Sequence, residues 1–67
     1  MFKNNIKTIR EAQGLNQTAL ASKTGIAQGT ISAFESGKLY CWPKARRKIA
    51  KVLGKTEVEI FPNGEMA

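Results

Sequence analysis

Glycine stands at Gly14, Gly25, Gly37 and Gly54 of this 67-residue chain, and each follows a short stretch whose apolar residues recur at helical spacing. Glycine just past such a stretch is a common helix terminator. The punctuation predicts short helices joined by tight turns, with no room for a long element. A chain of this length hides only about 60% of its unfolded surface on folding, so it must form one domain with few wasted residues. No stretch alternates apolar and polar residues as a strand would. There is no repeat and no linker. The expected fold class is all-α, over a single domain spanning 1–67.

Five helices fit. Asn4 or Asn5 caps the first, Ile6 and Ile9 lie on its inner side, and Leu15 packs back on it. Asn16 is a good N-cap for a second helix from Gln17 to about Thr24, with Leu20 and Ala21 facing inward. The third runs from about Gln28 to Ser36, with Ile31 and Phe34 on one side and Ile26 just before it. Pro43 suits the first turn of a fourth helix. There Ala45, Ile49, Val52 and Leu53 form an inward stripe at i, i+4, i+7 and i+8. Lys44, Arg46, Arg47, Lys48 and Lys51 take its remaining faces. Thr56-Glu57-Val58-Glu59 reads as a capping box for a short fifth helix, and Ile60 and Phe61 supply its apolar contacts. The core is expected over 4–61, with a frayed tail at 63–67.

Composition excludes several functions. No apolar run approaches the ~18 residues of a membrane span, and the first residues lack the apolar core of a signal peptide. A cytoplasmic protein with no membrane association is expected. With one cysteine, no histidine and five acids, the chain cannot assemble a metal-ligand cluster or a Cys–His pair. No catalytic residues, metal or cofactor are expected, and the chain is not read as an enzyme. Cys41 cannot form an intramolecular disulfide and is most simply a partly buried thiol.

Charge is unevenly spread. Residues 1–55 hold all eleven basic side chains against Glu11 and Glu35, a net of +9, while 56–67 carry a net of −3. From Lys38 to Lys55 seven bases occur without an acid. Such a patch is either a solvated face or an attractor of polyanions, chiefly nucleic acid or an anionic surface.

The stretch Thr24–Gly37, TGIAQGTISAFESG, narrows the choice. At 100° per residue, Gln28, Gly29, Ser32, Ala33 and Ser36 share an arc of about 140° on the side away from Ile31 and Phe34. An uncharged, small-residue surface helix is unusual in a basic protein. It fits a helix that enters the major groove, about 12 Å wide, where small residues allow close approach. Gln28 is the strongest base reader there, because its amide matches adenine N6 and N7. Gly29 permits backbone approach, and Thr30 and Ser32 can donate to phosphate or base. The second and third helices are joined by only about three residues around Gly25, as in a helix-turn-helix.

The run LNQTALASKTGIAQGTISAFESGK, together with Ile9-Arg10, Ile49-Ala50, Leu53-Gly54 and Ile60-Phe61, resembles the phage-repressor and Cro class, the XRE family. The likeness covers residues 4 to 61. It implies a lambda-repressor-like five-helix domain with its helix-turn-helix at about 17–36, and a sequence-specific regulator of transcription that binds double-stranded DNA. By position, it implies base contacts from Gln28, Gly29, Ser32 and Ala33. It implies phosphate contacts from Gln17, Thr30, Lys38 and Lys44, to which the basic patch adds Arg46 and Arg47 as expected phosphate contacts. Gln17 would also brace Gln28. Arg10 and Glu35 match a structural ion pair that does not touch DNA. Ala27 departs from the pattern, since relatives usually carry a capping Ser or Thr there.

Proteins of this class usually bind near-palindromic operators as homodimers. Here the subunit contact is expected from Ile60, Phe61 and Trp42. Tyr40 and Trp42 either cover the core or join a subunit contact, and Tyr40 has the further option of donating to a phosphate. A chain this small is expected to repress by occlusion. The alternative class is a protein-binding module, since toxin-neutralising antitoxins share this fold, bind their own operators and hold a small protein partner. RNA is a weaker fit, for want of an exposed aromatic platform.

Overall fold

The structure, a computed structural model, describes residues 2–62. The frayed tail expected at 63–67 lies outside the described residues. Five helices follow in order: α1 (Ile6–Ala12), α2 (Gln17–Thr24), α3 (Gln28–Ser36), α4 (Pro43–Leu53) and α5 (Glu57–Ile60). Among the described residues there is no strand. The all-α, five-helix class expected from glycine spacing is the one found.

The local signals act as their chemistry dictates. The Asn16 side chain accepts the Ala19 amide at 2.8 Å and starts α2. Thr56 and Glu59 form the reciprocal capping box of α5, and these bonds to Thr56 hold the Glu59 carboxyl below its ordinary pKa. At the start of α1 the asparagines divide the labour. Asn4 Oδ1 accepts the Ile6 amide, while Asn5 Nδ2 donates across the chain to the Glu59 carbonyl at 3.0 Å.

One core unites the helices. Ile6, Leu20, Ile31, Phe34, Ile49 and Ile60 are fully enclosed, one or two from each helix. Ile9, Leu15, Ala21, Ile26 and Val52 close its edges. α2 packs on both α3 and α4, α1 on α3, and α5 on α4. Burying each of the large apolar side chains contributes about 1.5–3 kcal/mol, which holds together helices too short to persist alone. Hydrogen bonds between elements fix the ends: Gln13 Nε2 donates to the Leu53 carbonyl at 2.7 Å, and Asn4 Nδ2 to the Phe34 carbonyl at 2.9 Å.

The loop between α3 and α4 is partly interior. Cys41 is 3% exposed, more deeply enclosed than the partly buried thiol expected. Burial pushes its pKa up to about 12, although Arg46 opposes the shift. Trp42 stands edge-on to Phe34 with centroids 5.2 Å apart. Tyr40 meets Phe2 in the same manner at 5.6 Å. Both aromatic residues lie against the fold, while Trp42 keeps 42% of its surface open.

Candidate nucleic-acid interface

The geometry of α3 begins with the turn before it. Gly25 has φ +76°, a left-handed conformation that a β-carbon disfavours. Its amide donates to the Ala21 carbonyl at 2.8 Å, closing α2. The Thr24 hydroxyl donates to the Leu20 carbonyl and accepts the Ile26 amide, so the turn is tied to α2 itself. Ala27 occupies the cap position of α3 without a side-chain cap, and its carbonyl accepts the Thr30 and Ile31 amides. The Thr30 amide, which a capping hydroxyl would ordinarily take, is thus satisfied by the backbone instead.

Ile31 and Phe34 anchor α3 from below. The opposite face is open: Gln28, Gly29, Ser32 and Ser36 are exposed, and Ala33 and Thr30 are half-buried. A β-carbon added at Gly29 would meet nothing within 4 Å. Packing therefore gives no reason for glycine at that position.

A chain of hydrogen bonds runs from the interior to this face. Arg10 is buried and grips Glu35 through two nitrogens, Nε to Oε2 at 2.7 Å and Nη2 to Oε1 at 3.0 Å. Its Nη1 donates to the Leu15 carbonyl at 2.8 Å. The bond to Glu35 holds the Arg10 pKa above its ordinary value against the pull of desolvation. Glu35 Oε1 also accepts Gln17 Nε2 at 3.0 Å. Gln17 Oε1 in turn accepts Gln28 Nε2 at 3.0 Å.

The order of these bonds follows from donor and acceptor chemistry. A carboxylate only accepts, so Gln17 must present its NH2 group to Glu35 and its oxygen to Gln28. Gln28 must then donate one of its two N–H bonds inward. Its second N–H and its carbonyl oxygen are left as an outward donor–acceptor edge.

The basic residues divide into two kinds. Lys38, Lys44 and Arg47 are exposed. Lys38 begins at the end of α3, where its amide donates to the Ala33 carbonyl at 3.1 Å. Lys44 shares a groove of about 310 Å³ with Thr30, Trp42 and Lys48. Lys48 belongs to this wall although it was not among the expected contacts. Its position one turn after Lys44 was the available signal.

Arg46 requires a correction. It was expected to contact phosphate, yet it is only 5% exposed. Its Nε donates to the Cys41 carbonyl at 2.8 Å. Its guanidinium lies 5.2 Å from the Tyr40 ring centroid and 5.1 Å from that of Phe61. Satisfied by these groups, it braces the loop before α4 and is turned away from solvent.

The expected subunit contact is corrected as well. Ile60 is fully enclosed and Phe61 is 4% exposed. Each is already buried in its own domain, so neither has surface to offer a second copy. Trp42 retains open surface, but on the wall of the Lys44 groove.

Among the described residues no three His, Cys, Asp or Glu side chains gather as a metal site. Among the same residues no helix is long and apolar enough to cross a membrane. Residues 6–40, just over half the chain, match a family model described as helix-turn-helix. The chain is also 41% identical over 60 residues to an uncharacterized HTH-type transcriptional regulator from Methanocaldococcus jannaschii, covering 90% of this chain and 91% of that protein.

Proposed function

Since this chain belongs to the XRE-type helix-turn-helix family of DNA-binding transcription regulators, we propose that it reads a specific operator by laying α3 in the major groove. The observation that carries this reading is the braced amide of Gln28. The bond from its Nε2 to Gln17 leaves one donor and one acceptor facing outward, the pair that adenine N7 and N6 require. An amide held this way need not be ordered on binding, so less side-chain entropy is lost.

The remaining roles follow from exposure and chemistry. Gly29 lets the α3 backbone approach the bases. Ser32 donates to a base edge, and Ala33 meets a thymine methyl. Gln17, Thr30, Lys38, Lys44 and Arg47 hold the flanking phosphates and set the register of the helix. Regulation is by repression: the bound protein occludes the promoter.

Two copies bind a near-palindromic site, their recognition helices one DNA turn, about 34 Å, apart. With Ile60 and Phe61 enclosed, the apolar contact between copies falls to Val58 on α5, which is 73% exposed. Val58→Asp should leave the fold intact and weaken binding to the two-fold site. Unchanged sedimentation and operator affinity would remove Val58 from the interface.

Selection of bound duplexes from a random library tests the operator reading. Two inverted half-sites should emerge, each with an adenine whose enrichment disappears in Gln28→Ala. A pool without sequence preference would refute specific readout.

A further inference from the structure

A second groove adjoins the first at Lys48, between the end of α2 and the flank of α4. Its volume is about 400 Å³, and Lys23, Thr24, Lys48, Lys51 and Val52 line it. Lys48 also lines the groove that holds Lys44 and Thr30. The two form one basic trough leading from the head of α3 along α4. No carboxylate lines either groove, and the described ion pair of the chain, Arg10–Glu35, is elsewhere. Lys23, Lys44, Lys48 and Lys51 are all exposed.

Spacing decides what such a trough can hold. Lys44, Lys48 and Lys51 stand at i, i+4 and i+7, so they share one face of α4. The helical rise places Lys48 about 6 Å and Lys51 about 10.5 Å beyond Lys44 along the axis. Charges are screened over about 8 Å at physiological ionic strength. A phosphate held by Lys44 therefore does little for Lys51 or for Lys23 beside it. Those side chains need anions of their own, in a row continuous with the first. One DNA strand supplies a phosphate every ~3.4 Å of helix axis.

We propose that the Lys23–Lys48–Lys51 trough binds the DNA phosphate backbone outside the recognised half-site, drawing the flanking duplex toward α4. This rests on the operator reading above. Continuity with the Lys44 groove favours DNA over an acidic protein. The protein would thereby cover more DNA than its recognition helix reads, and a flanking duplex drawn onto this face would be bent toward the protein.

The wild-type chain provides the first test, on two duplexes carrying the selected site. One ends at the outer edge of each half-site, and the other extends about ten base pairs beyond. On the longer duplex, log K should fall more steeply with log salt, by about 0.9 for each lysine engaged. A Lys23→Gln/Lys48→Gln/Lys51→Gln variant should lose that increment and the bend seen with circularly permuted fragments, while selecting the same bases. Equal wild-type slopes on the two duplexes would overturn the proposal. So would a folded variant with the parent's slope and bend, or one whose only defect is loss of an acidic protein partner. A wild-type chain that selects no sequence would sink the operator reading itself, whereas one that selects a sequence but ignores flank length sinks only the trough.

Discussion

Gln28 donates its side-chain Nε2 to Gln17 Oε1 at 3.0 Å, and Gln17 is itself oriented by Glu35 Oε1 at 3.0 Å. Two surface amides eleven residues apart are thus aligned by a carboxylate in the interior. If Gln28 reads adenine through this alignment, the two glutamines act as a unit. Gln28→Ala should cost about 1–3 kcal/mol at the selected site and little on random DNA. Gln17→Ala should cost part of the same energy. The double variant should depart from additivity by at least about 0.5 kcal/mol, as coupled neighbours do. Additive losses in a binding titration would show that the bond between them has no part in recognition.

Gly29 separates stability from function. Its surroundings have room for a side chain, and alanine is favoured over glycine within a helix by about 1 kcal/mol. Gly29→Ala should therefore raise the thermal midpoint by a few degrees, on the scale of 4–8 °C per kcal/mol for a small domain. It should also weaken operator binding, because under the proposed docking the methyl group would stand between the backbone and the bases. A variant both more stable and equally tight in binding would dismiss close backbone approach at this position.

Arg46 and Lys44 lie two residues apart on α4 and should behave oppositely. Lys44→Gln should leave the melting curve nearly unchanged and reduce the salt slope by about 0.9 per subunit. Arg46→Ala removes, among its contacts, the charged hydrogen bond to the Cys41 carbonyl and the two ring contacts, a loss of at least about 2–4 kcal/mol in stability. Under conditions where it stays folded, its salt slope should match the parent's. A slope reduced by the same step as in Lys44→Gln would return Arg46 to the phosphate contacts.

The Arg10–Glu35 pair links the core to the proposed recognition face through Gln17. Its side chains are 6% and 4% exposed, so Glu35→Ala strands a buried guanidinium and should cost about 3–5 kcal/mol. That is a large part of the 5–15 kcal/mol typical of a whole domain. An Arg10→Met/Glu35→Leu replacement should recover much of this stability, since apolar isosteres often substitute for a buried pair. It should not recover base preference, because Gln17 has lost the acceptor that orients it. Restored melting with fully restored selectivity would deny the network any role in presenting Gln28.

Cys41 makes stability fall in alkali. Its pKa is pushed up to about 12 from an ordinary 9.0, chiefly by desolvation. The thiol form is thus favoured in the folded chain. Its contribution is fully present below about pH 9 and is lost as pH rises from there toward 12, at up to about 1.4 kcal/mol per pH unit. Comparing denaturation of the parent and Cys41→Ala across that window isolates the effect. At neutral pH an alkylating reagent should modify Cys41 only when the domain opens. Rapid labelling of folded protein would contradict the enclosure.

What could be read along the chain was whatever depends on near neighbours. Helix ends are set by groups a few residues apart, so Asn16, Gly25, Pro43 and the Thr56–Glu59 box marked them correctly. The open face of α3 followed from its 100° repeat once Ile31 and Phe34 were assigned inward. The fate of Arg46, Ile60 and Phe61 did not follow. A charge on a basic helix and two apolar residues after a short one look available until the Tyr40 loop and α5 close over them. Burial sums contributions from segments distant in sequence, and an arginine's long side chain reaches whichever of several environments the packing provides. The direction of the Gln28 amide was decided in the same way, by a carboxylate that folding alone brings beside Gln17.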